Sequence, residues 1–231
     1  MSKIIWDKTG ERFYETGTDH GVLYPTYAGD ATGQGYTGGV AWNGLTGFTE
    51  SPEGAESNPI YADNIKYLNL RSAEDYGATI TAYTYPDEFA ECNGERVVNG
   101  VHLRQQPRKA FGFCCRTLIG NDVDGDELGY ALHLVYGATA SPSEKAYTTV
   151  NDSPEAIEFS WEIDTIPVSA GDAYKPTASI EIRTTDLEGG KDNPKLKALE
   201  AILFGTDGEG ETQGTEPRLP LPAEVIALMA A

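Results

Sequence analysis

The sequence predicts a mainly β fold, an antiparallel β-sandwich or barrel that carries one packed α-helix over about residues 193–204. Three observations support this prediction. The 231 residues include 26 glycines and 13 tyrosines, a mixture typical of β proteins with many turns. Several short segments alternate apolar and polar side chains with a period of two, whereas one segment shows a clear helical period. No internal repeat or change of composition divides the chain, so we expect a single domain spanning residues 1–231.

The first 60 residues are rich in Gly, Thr, Tyr and Pro and contain a glycine motif. Residues 33–40, GQGYTGGV, place Gly33, Gly35 and Gly38 at the spacing of nucleotide-binding glycine loops. A dinucleotide site needs a buried strand before this motif and a helix after it, and a kinase needs further catalytic motifs downstream. The sequence has none of these features, so the loop is interpreted as structural and no cofactor is predicted.

The next segment, residues 49–59 (TESPEGAESNP), predicts a long polar loop. The stretch that follows it, NIKYLNLRSAEDYG, fits a short strand or a helical turn equally well. From residue 78 onward the pattern is clearer. ATITAYTYP predicts a strand that ends at Pro86, and PDEFAECNG predicts a single helical turn.

Residues 110–136 predict one β-hairpin with an acidic tip. On its first strand, alternation places Phe111, Phe113 and Cys115 on one face, with Cys114 opposite. On its second strand, the apolar side chains share one face and His133 lies opposite; they are Tyr130, Leu132, Leu134 and Tyr136.

The segment AIEFSWEIDTIPV gives the strongest strand signal. Its apolar residues alternate with Glu158, Ser160, Glu162 and Asp164, which predicts one buried face and one acidic, solvated face. TASIEIRTTD repeats this alternation. The helix over about 193–204 has Asn193 as its cap, Pro194 at its first position and Gly205 beyond its end. After an acidic linker at about 205–217, LPLPAEVIALMAA predicts a short helix or a docked arm.

The charge of the chain restricts its function. There are 36 acidic and 17 basic residues, giving a net charge of −19. Such a surface repels a nucleic-acid backbone, so a specific reader of DNA or RNA is not expected, although a protein that lets DNA pass without binding it is compatible. The simplest interpretation is that the charge keeps the protein soluble. The sequence shows neither a signal-peptide pattern nor an 18-residue apolar run, so no membrane association is expected.

No catalytic or metal site is predicted. Cys92, Cys114 and Cys115 form no disulfide framework, and the three histidines have no metal-ligand spacing. Asp122, Asp124 and Asp126 match the first positions of a calcium loop but lack its glycine and its final glutamate, so a turn is preferred and a weak cation site of another kind stays open.

Two alternatives to a structural protein also stay open. Trp6, Trp42 and Trp161, together with the many tyrosines, suggest a carbohydrate-binding β-sandwich. Glu158 and Glu162 lie on one strand face, as a glycosidase pair might, although alternating acids on a solvated strand are the ordinary explanation. Because no catalytic motif is recognisable, the sequence predicts a protein that is not an enzyme, with these two alternatives left open.

Long phrases spread over nearly the whole chain carry a resemblance to a known family. They are WDKTGERFYETGTDHGVLYP (6–25), GVAWNGLT (39–46), YADNIKYLNL (61–70), TAYTYPDEF (81–89), LHLVYGATASPSEKAYTTVNDSPEAIEFSWEI (132–163) and RLPLPAEVIAL (218–228). The chain resembles the major tail protein, the tail tube subunit, of bacteriophages with long, non-contractile tails.

The resemblance implies a β-sandwich tail tube fold with a packed helix, located in the virion tail after assembly in the host cytoplasm. Six copies would form a ring whose inner sheets join into one barrel, and rings would stack into the conduit for DNA ejection. It implies a tape measure protein, a tail terminator and distal tail proteins as partners, and non-specific passage of DNA through the lumen.

The resemblance also suggests roles for particular segments. Glu158, Glu162 and Asp164 are candidates for the lumen wall, although the alternation fits an outward face equally well. The loop at about 44–63 resembles a ring-stacking arm, and its candidate contact residues are Phe48, Glu50, Glu53, Glu56 and Tyr61. An N-terminal arm at about 1–25 and a C-terminal arm at about 205–231 are further candidates for bridging rings.

Overall fold

A computed structural model of the chain describes residues 3–27, 35–150, 152, 155–208 and 213–230. Gly33 of the glycine motif lies outside the described residues, as does part of the predicted linker at 205–217. The strands are β1 Tyr14–Tyr24, β2 Thr26–Tyr27, β3 Tyr36–Thr37, β4 Val40–Ala41, β5 Leu45–Glu50, β6 Glu53–Gly54, β7 Ser57–Ala62, β8 Ile65–Arg71, β9 Glu74–Asp75, β10 Gly77–Ala82, β11 Arg96–Val98, β12 Val101–Leu103, β13 Phe111–Asn121, β14 Gly125–Ala140, β15 Phe159–Thr165, β16 Ser179–Arg183 and β17 Arg218–Leu219. The helices are α1 Phe89–Cys92, α2 Pro194–Phe204 and α3 Pro222–Ala230, with short 3-10 helices at Thr184–Asp186 and Gly190–Asp192.

The main sheet is antiparallel and has the strand order β4-β1-β13-β14-β15-β10-β5, with β16 also paired to β14. The long strand β14 supports two neighbours on one edge, because residues 131–135 pair with β16 and residues 138–140 pair with β15. Gly137 lies between these two stretches with a φ of +59°. A Cβ atom there would lie 2.2 Å from the carbonyl oxygen of Ile166, so only glycine allows this change of neighbour.

The main sheet folds over so that its two halves face each other as a sandwich. The half made of β5, β10 and β15 contributes Phe48 and Trp161 to the interior, and the other half contributes Phe113. The rings of Phe48 and Phe113 have centroids 5.6 Å apart, and those of Trp42 and Trp161 are 5.5 Å apart. These aromatic contacts form the first hydrophobic core.

A second core lies on the opposite face of β1, β13, β14 and β16, where α2 and α3 pack. Leu196, Leu199 and Leu203 of α2 are fully buried there, as their helical spacing predicts. Cys115 lies in the first core and Cys114 in the second, which confirms that the adjacent cysteines point to opposite faces. This half of the sandwich is therefore covered on both sides.

The predicted helix is confirmed as α2. The Oδ1 atom of Asn193 accepts hydrogen bonds from the backbone N–H groups of Lys195 and Leu196, at 2.8 and 3.2 Å. The terminal segment forms a second packed helix, α3, which buries Val225 in the same core. Of the two forms that the sequence left open for this segment, the structure has the helix.

The segment predicted as a polar loop at 49–59 contains strand residues instead. β5 extends to Glu50, β6 spans Glu53–Gly54 and β7 begins at Ser57. The ambiguous stretch NIKYLNLR forms β8, the partner of β7. These strands have no buried face, so the alternation that reveals a half-buried strand is missing from their sequence.

Candidate assembly surfaces

The outer surface of the half-sheet β5–β10–β15 is polar, and we call it the polar face. Across the three strands Thr49, Thr79 and Glu162 lie in one row, because Thr79 pairs with both of the others. The same period of two places Thr81, Ser160 and Asp164 on this face. Thr46 joins them through a register shift in β5, which brings its hydroxyl to 3.0 Å from the Thr81 hydroxyl. Since α2 and α3 pack on the other half of the sandwich, neither helix covers this face.

The polar face is acidic. Glu158, Glu162 and Asp164 are exposed, and none of the three strands contains Lys or Arg. The Thr46 hydroxyl donates to Glu158 Oε1 at 2.5 Å, and the Ser141 hydroxyl donates to Asp164 Oδ2 at 2.7 Å. The structure thus places the three predicted acidic residues together on one face whose own hydroxyl groups hold two of the carboxylates.

Acidic residues continue past one end of this face. A groove there is lined by Glu53, Asp75, Glu162 and Asp164, with Glu53 paired to Asp75 between β6 and β9. Among the described residues, no group of three His, Cys, Asp or Glu side chains is arranged to hold a metal ion. The groove therefore adds negative charge to the surface without forming a metal site.

A two-stranded hairpin, β7–β8, projects from the same end, and we call residues 57–71 the arm. Every residue of both strands is exposed, including cross-strand partners Ile60 and Leu68. The other large apolar residues of the arm are Tyr61, Ile65, Tyr67 and Leu70. An isolated two-stranded hairpin is at best marginally stable in water, so this arm is suited to packing against another surface.

The five residues predicted for ring stacking lie in three places: on the arm, at its base and in the main sheet. Tyr61 lies on the arm, Glu53 is in β6, and Glu56 precedes β7. Phe48 and Glu50 lie in β5 of the main sheet, where Glu50 Oε1 accepts a hydrogen bond from the Tyr76 hydroxyl at 2.8 Å. The predicted loop at 44–63 is thus a sheet strand followed by the first part of the arm.

The N-terminal residues 3–13 form no strand and expose large apolar side chains, namely Ile4, Ile5, Trp6 and Phe13. This segment is tied to the tip of the β13–β14 hairpin. The Gly10 N–H group donates to Asp122 Oδ1 at 2.9 Å, and Asn121 Nδ2 donates to the Gly10 carbonyl oxygen at 3.2 Å. The rest of the predicted N-terminal arm, from residue 14 to 24, is β1 of the main sheet.

The acidic tip of this hairpin is held by hydrogen bonds within the chain. Asn121 Oδ1 accepts from the backbone N–H groups of Val123 and Asp124, and Asn121 Nδ2 donates to Asp124 Oδ2 at 3.0 Å. Asp122 also lies 3.7 Å from the Arg12 guanidinium. These contacts give Asp122 and Asp124 a structural role in the turn.

The three cysteine side chains are all buried. Burial raises the pKa of Cys92 to about 11 and that of Cys115 to about 12, and it raises the pKa of Cys114 well above its ordinary value. Thiols with such pKa values are protonated near pH 7, so none of them has the thiolate character of a catalytic nucleophile.

A cluster of basic residues beside β15 was missed by the sequence analysis. It surrounds Glu95, whose side chain is 6% exposed, with Lys145 Nζ at 3.5 Å and Arg104 Nε at 3.9 Å. Arg108 Nη1 lies nearby and donates to the Ala140 carbonyl oxygen at 2.5 Å. Because these residues are up to 50 positions apart in the chain, no local spacing signals the cluster.

In the described part of the chain, no helix is long and apolar enough to span a membrane.

Comparison with known proteins gives little further information. No family model and no curated protein matches the chain. A similar solved structure is a cryo-EM structure of an extracellular contractile injection system, the PVC sheath–tube complex in its extended state. That chain is 12% identical to this one, the match covers 77% of this chain and 92% of that chain, and the TM-score is 0.32. A TM-score this low supports no conclusion about a shared fold or function.

Proposed function

We propose that this chain is the tail tube subunit of a bacteriophage with a long, non-contractile tail. In this proposal six copies form a ring, and stacked rings form the conduit through which DNA is ejected. The observation that carries the proposal is the polar face, because α2 and α3 cover one half of the sandwich, whereas the other half presents three exposed carboxylates on a face that neither of these helices covers.

The chemistry of the polar face suits a channel wall. Exposed carboxylates without neighbouring cations repel phosphate groups, and hydroxyl side chains interact with water as readily as with DNA. At physiological salt this repulsion extends over about 8 Å, the Debye length, so it acts on a duplex that passes close to the wall. DNA that finds no cationic contact has no counterions to release, so it does not adhere.

The edges of the main sheet suit ring formation. β5 is the last strand of the sheet, and no other strand in the described part of the chain pairs with its outer edge. Exposed sheet edges invite uncontrolled pairing, and closure into a barrel removes them. A ring also requires a heterologous contact, in which two different surfaces of the same chain meet.

The arm suits stacking of one ring on the next. It extends beyond the sandwich with apolar side chains on both strands, and its base carries Glu53 and Glu56. We propose that Tyr61 and the other apolar residues of the arm contact the adjacent ring. Of the N-terminal arm, only the exposed residues 3–13 are proposed as a further contact between rings, because residues 14–24 belong to β1; the C-terminal arm at about 205–231 is proposed as another such contact. The tape measure protein, the tail terminator and distal tail proteins remain proposed partners of the assembled tube.

The tryptophan positions favour a tube subunit over a carbohydrate-binding module. Trp42 is 2% exposed and Trp161 is 0% exposed, so neither ring is available to stack on a sugar. Trp6 is 74% exposed but lies in the N-terminal segment outside the sheet. A sugar-binding platform of several tryptophans is therefore absent from the described residues.

Negative-stain electron microscopy of the full chain at high concentration tests the proposal. We expect rings or hollow tubes of uniform width. The same preparation applied to a glycan array is expected to bind nothing. A chain that remains monomeric at every concentration and binds a defined glycan would contradict the proposal and support the module.

A further inference from the structure

The half-sheet under the polar face ends at a second edge, opposite β5. There residues 138–140 of β14 pair with β15, and the chain continues along β15 beyond Ala140. The Ser141 N–H group donates to the Glu162 carbonyl oxygen at 2.7 Å. The Glu162 N–H group donates to the Ser143 hydroxyl at 3.3 Å, and that hydroxyl donates to the Ser141 carbonyl oxygen at 3.2 Å. Residues 140–143 therefore follow β15 and form the receiving edge, as we call this segment.

The strand directions make β5 and the receiving edge compatible. β5, β10, β15 and β14 alternate in direction, since each neighbouring pair is antiparallel. Rotation about a ring axis preserves the direction of every strand relative to that axis. With four alternating strands in each copy, β5 of the next copy runs antiparallel to the receiving edge, so the antiparallel order continues around the ring.

The receiving edge is protected in the single chain. In an antiparallel ladder, alternate residues of a strand point their backbone N–H and C=O groups toward the neighbouring strand and away from it. Ala140 points these groups away from β15. Its carbonyl oxygen accepts the bond from Arg108 Nη1. Pro142, the next outward position, has no N–H group to donate. The Arg108 guanidinium therefore occupies one acceptor of this edge, and Pro142 removes the next donor. Both features limit unspecific pairing of an exposed strand edge.

A basic cleft of about 540 Å³ adjoins the receiving edge. Its walls include Arg104, Arg108 and Lys145, and its floor includes Trp161. The indole N–H group of Trp161 is buried and has no hydrogen-bond partner among the described residues. Glu95 offsets part of this positive charge but is itself buried. The cleft thus offers several cationic groups, and the indole N–H group lacks an acceptor.

The β5 end of the half-sheet has the complementary charge. β5 contains no Lys or Arg and ends at the exposed residue Glu50, and the exposed residue Glu53 follows in β6. Opposite charges on two surfaces that meet fix the partner and its register. Within a chain of net charge −19, a basic cleft beside a sheet edge favours an acidic partner, and the β5 end of a second copy is acidic.

We propose that β5 of one copy docks on the receiving edge of the next, with Glu50 and Glu53 facing Arg104 and Arg108. This inference rests on the proposed function and specifies which two surfaces of the chain form the ring contact. Docking requires the incoming strand to replace the bond between Arg108 and Ala140. Arg108 therefore controls access to the edge until an acidic strand draws it away.

Disulfide trapping between copies tests the contact. Thr49 on β5 and Ser143 on the receiving edge both lie on the polar-face side of their strands. Within one copy they are separated by three strand spacings, about 14 Å in a flat sheet, whereas a disulfide needs Cα atoms within about 7 Å. After mild oxidation of assembled T49C/S143C protein, we expect covalent multimers up to a ring on a non-reducing gel. A T46C/S143C variant tests the same contact with β5 shifted along the receiving edge.

The matched control uses the other exposed edge of the sheet. Among the described strands β16 pairs with β14 alone, so a T49C/E181C variant offers the competing contact. Native cysteines do not interfere because all three are buried. If tubes form but the T49C/E181C pair yields the covalent multimers, or no cysteine pair yields them, this inference is overturned while the tube proposal stands. Failure of the unmodified chain to form any ring overturns both.

Discussion

Reversing the charge of the polar face should convert the proposed channel wall from a surface that repels DNA into one that binds it. The variant E158K/E162K changes the charge of the three carboxylate positions from about −3 to about +1 in each copy at pH 7. Both side chains are exposed, so each substitution should change the free energy of unfolding by no more than about 0.5 kcal/mol. When Glu158 is replaced, the Thr46 hydroxyl is free to donate to the Thr81 hydroxyl, which lies 3.0 Å away.

The expected affinity follows from the number of phosphates that the new lysines contact. Two lysines per copy give about twelve in a ring of six, so contact with about five phosphates of a duplex is a conservative assumption. Binding should then weaken about 500-fold between about 50 and about 200 mM salt, since each contact contributes about −0.9 to the logarithmic slope. The matched variant E158Q/E162Q removes charge without adding cations and should not bind.

Fluorescence anisotropy of labelled DNA added to assembled tubes measures this effect. A linear duplex can enter an open tube, whereas a closed circular plasmid reaches only the outside. We expect the lysine variant to bind linear DNA with the stated salt dependence and to bind the plasmid much more weakly. Equal binding of both forms would place the polar face outside the tube, and no binding by intact variant tubes would refute the electrostatic reasoning.

Three further predictions concern stacking and stability. Ile60→Asp with Leu68→Asp should leave rings but prevent long tubes, because both side chains lie on the exposed arm; sedimentation and microscopy measure this, and unchanged tubes would contradict it. Asn193→Ala should lower the free energy of unfolding by about 1 kcal/mol in urea denaturation, because two N–H groups of α2 lose their cap; an unchanged value would refute the capping role. The Arg116 guanidinium lowers the pKa of Asp19 below its ordinary value of 3.8, so this pair stabilises the fold fully above about pH 4 and is lost as the pH falls through the lowered pKa. We expect the melting temperature of Asp19→Asn to fall less between pH 7 and pH 2 than that of the unmodified chain. Parallel plots of melting temperature against pH for the two proteins would contradict the assignment.

The local pattern of the sequence was sufficient to predict the strands and the helix that bury one face. Alternation predicted the face of β15 that buries Trp161 and the opposite burial of Cys114 and Cys115, because a strand that packs on one side repeats every two residues. Capping residues predicted α2 for a similar reason, since Asn193 satisfies N–H groups two and three residues away. Each of these features depends on neighbours within one turn or one strand.

The arm illustrates where this reasoning fails. Neither strand of the hairpin buries a face against the sandwich, so its sequence lacks the alternation that reveals a strand. The predicted polar loop at 49–59 includes the start of β7, and the pattern of β8 fits a strand or a helical turn equally well. Its pairing is settled by backbone hydrogen bonds between β7 and β8, which leave little trace in the pattern of side chains.

The sequence by itself therefore determined the composition of the surfaces: an acidic chain, strands with one polar face and one amphipathic helix. Only the tertiary structure decided that α2 and α3 both pack on one half of the sandwich and that neither of them covers the other half. It alone brought Glu95, Arg104 and Lys145 together beside β15. The physical reason is that periodicity reports whether a side chain is buried, whereas which element buries it depends on contacts between residues far apart in the chain.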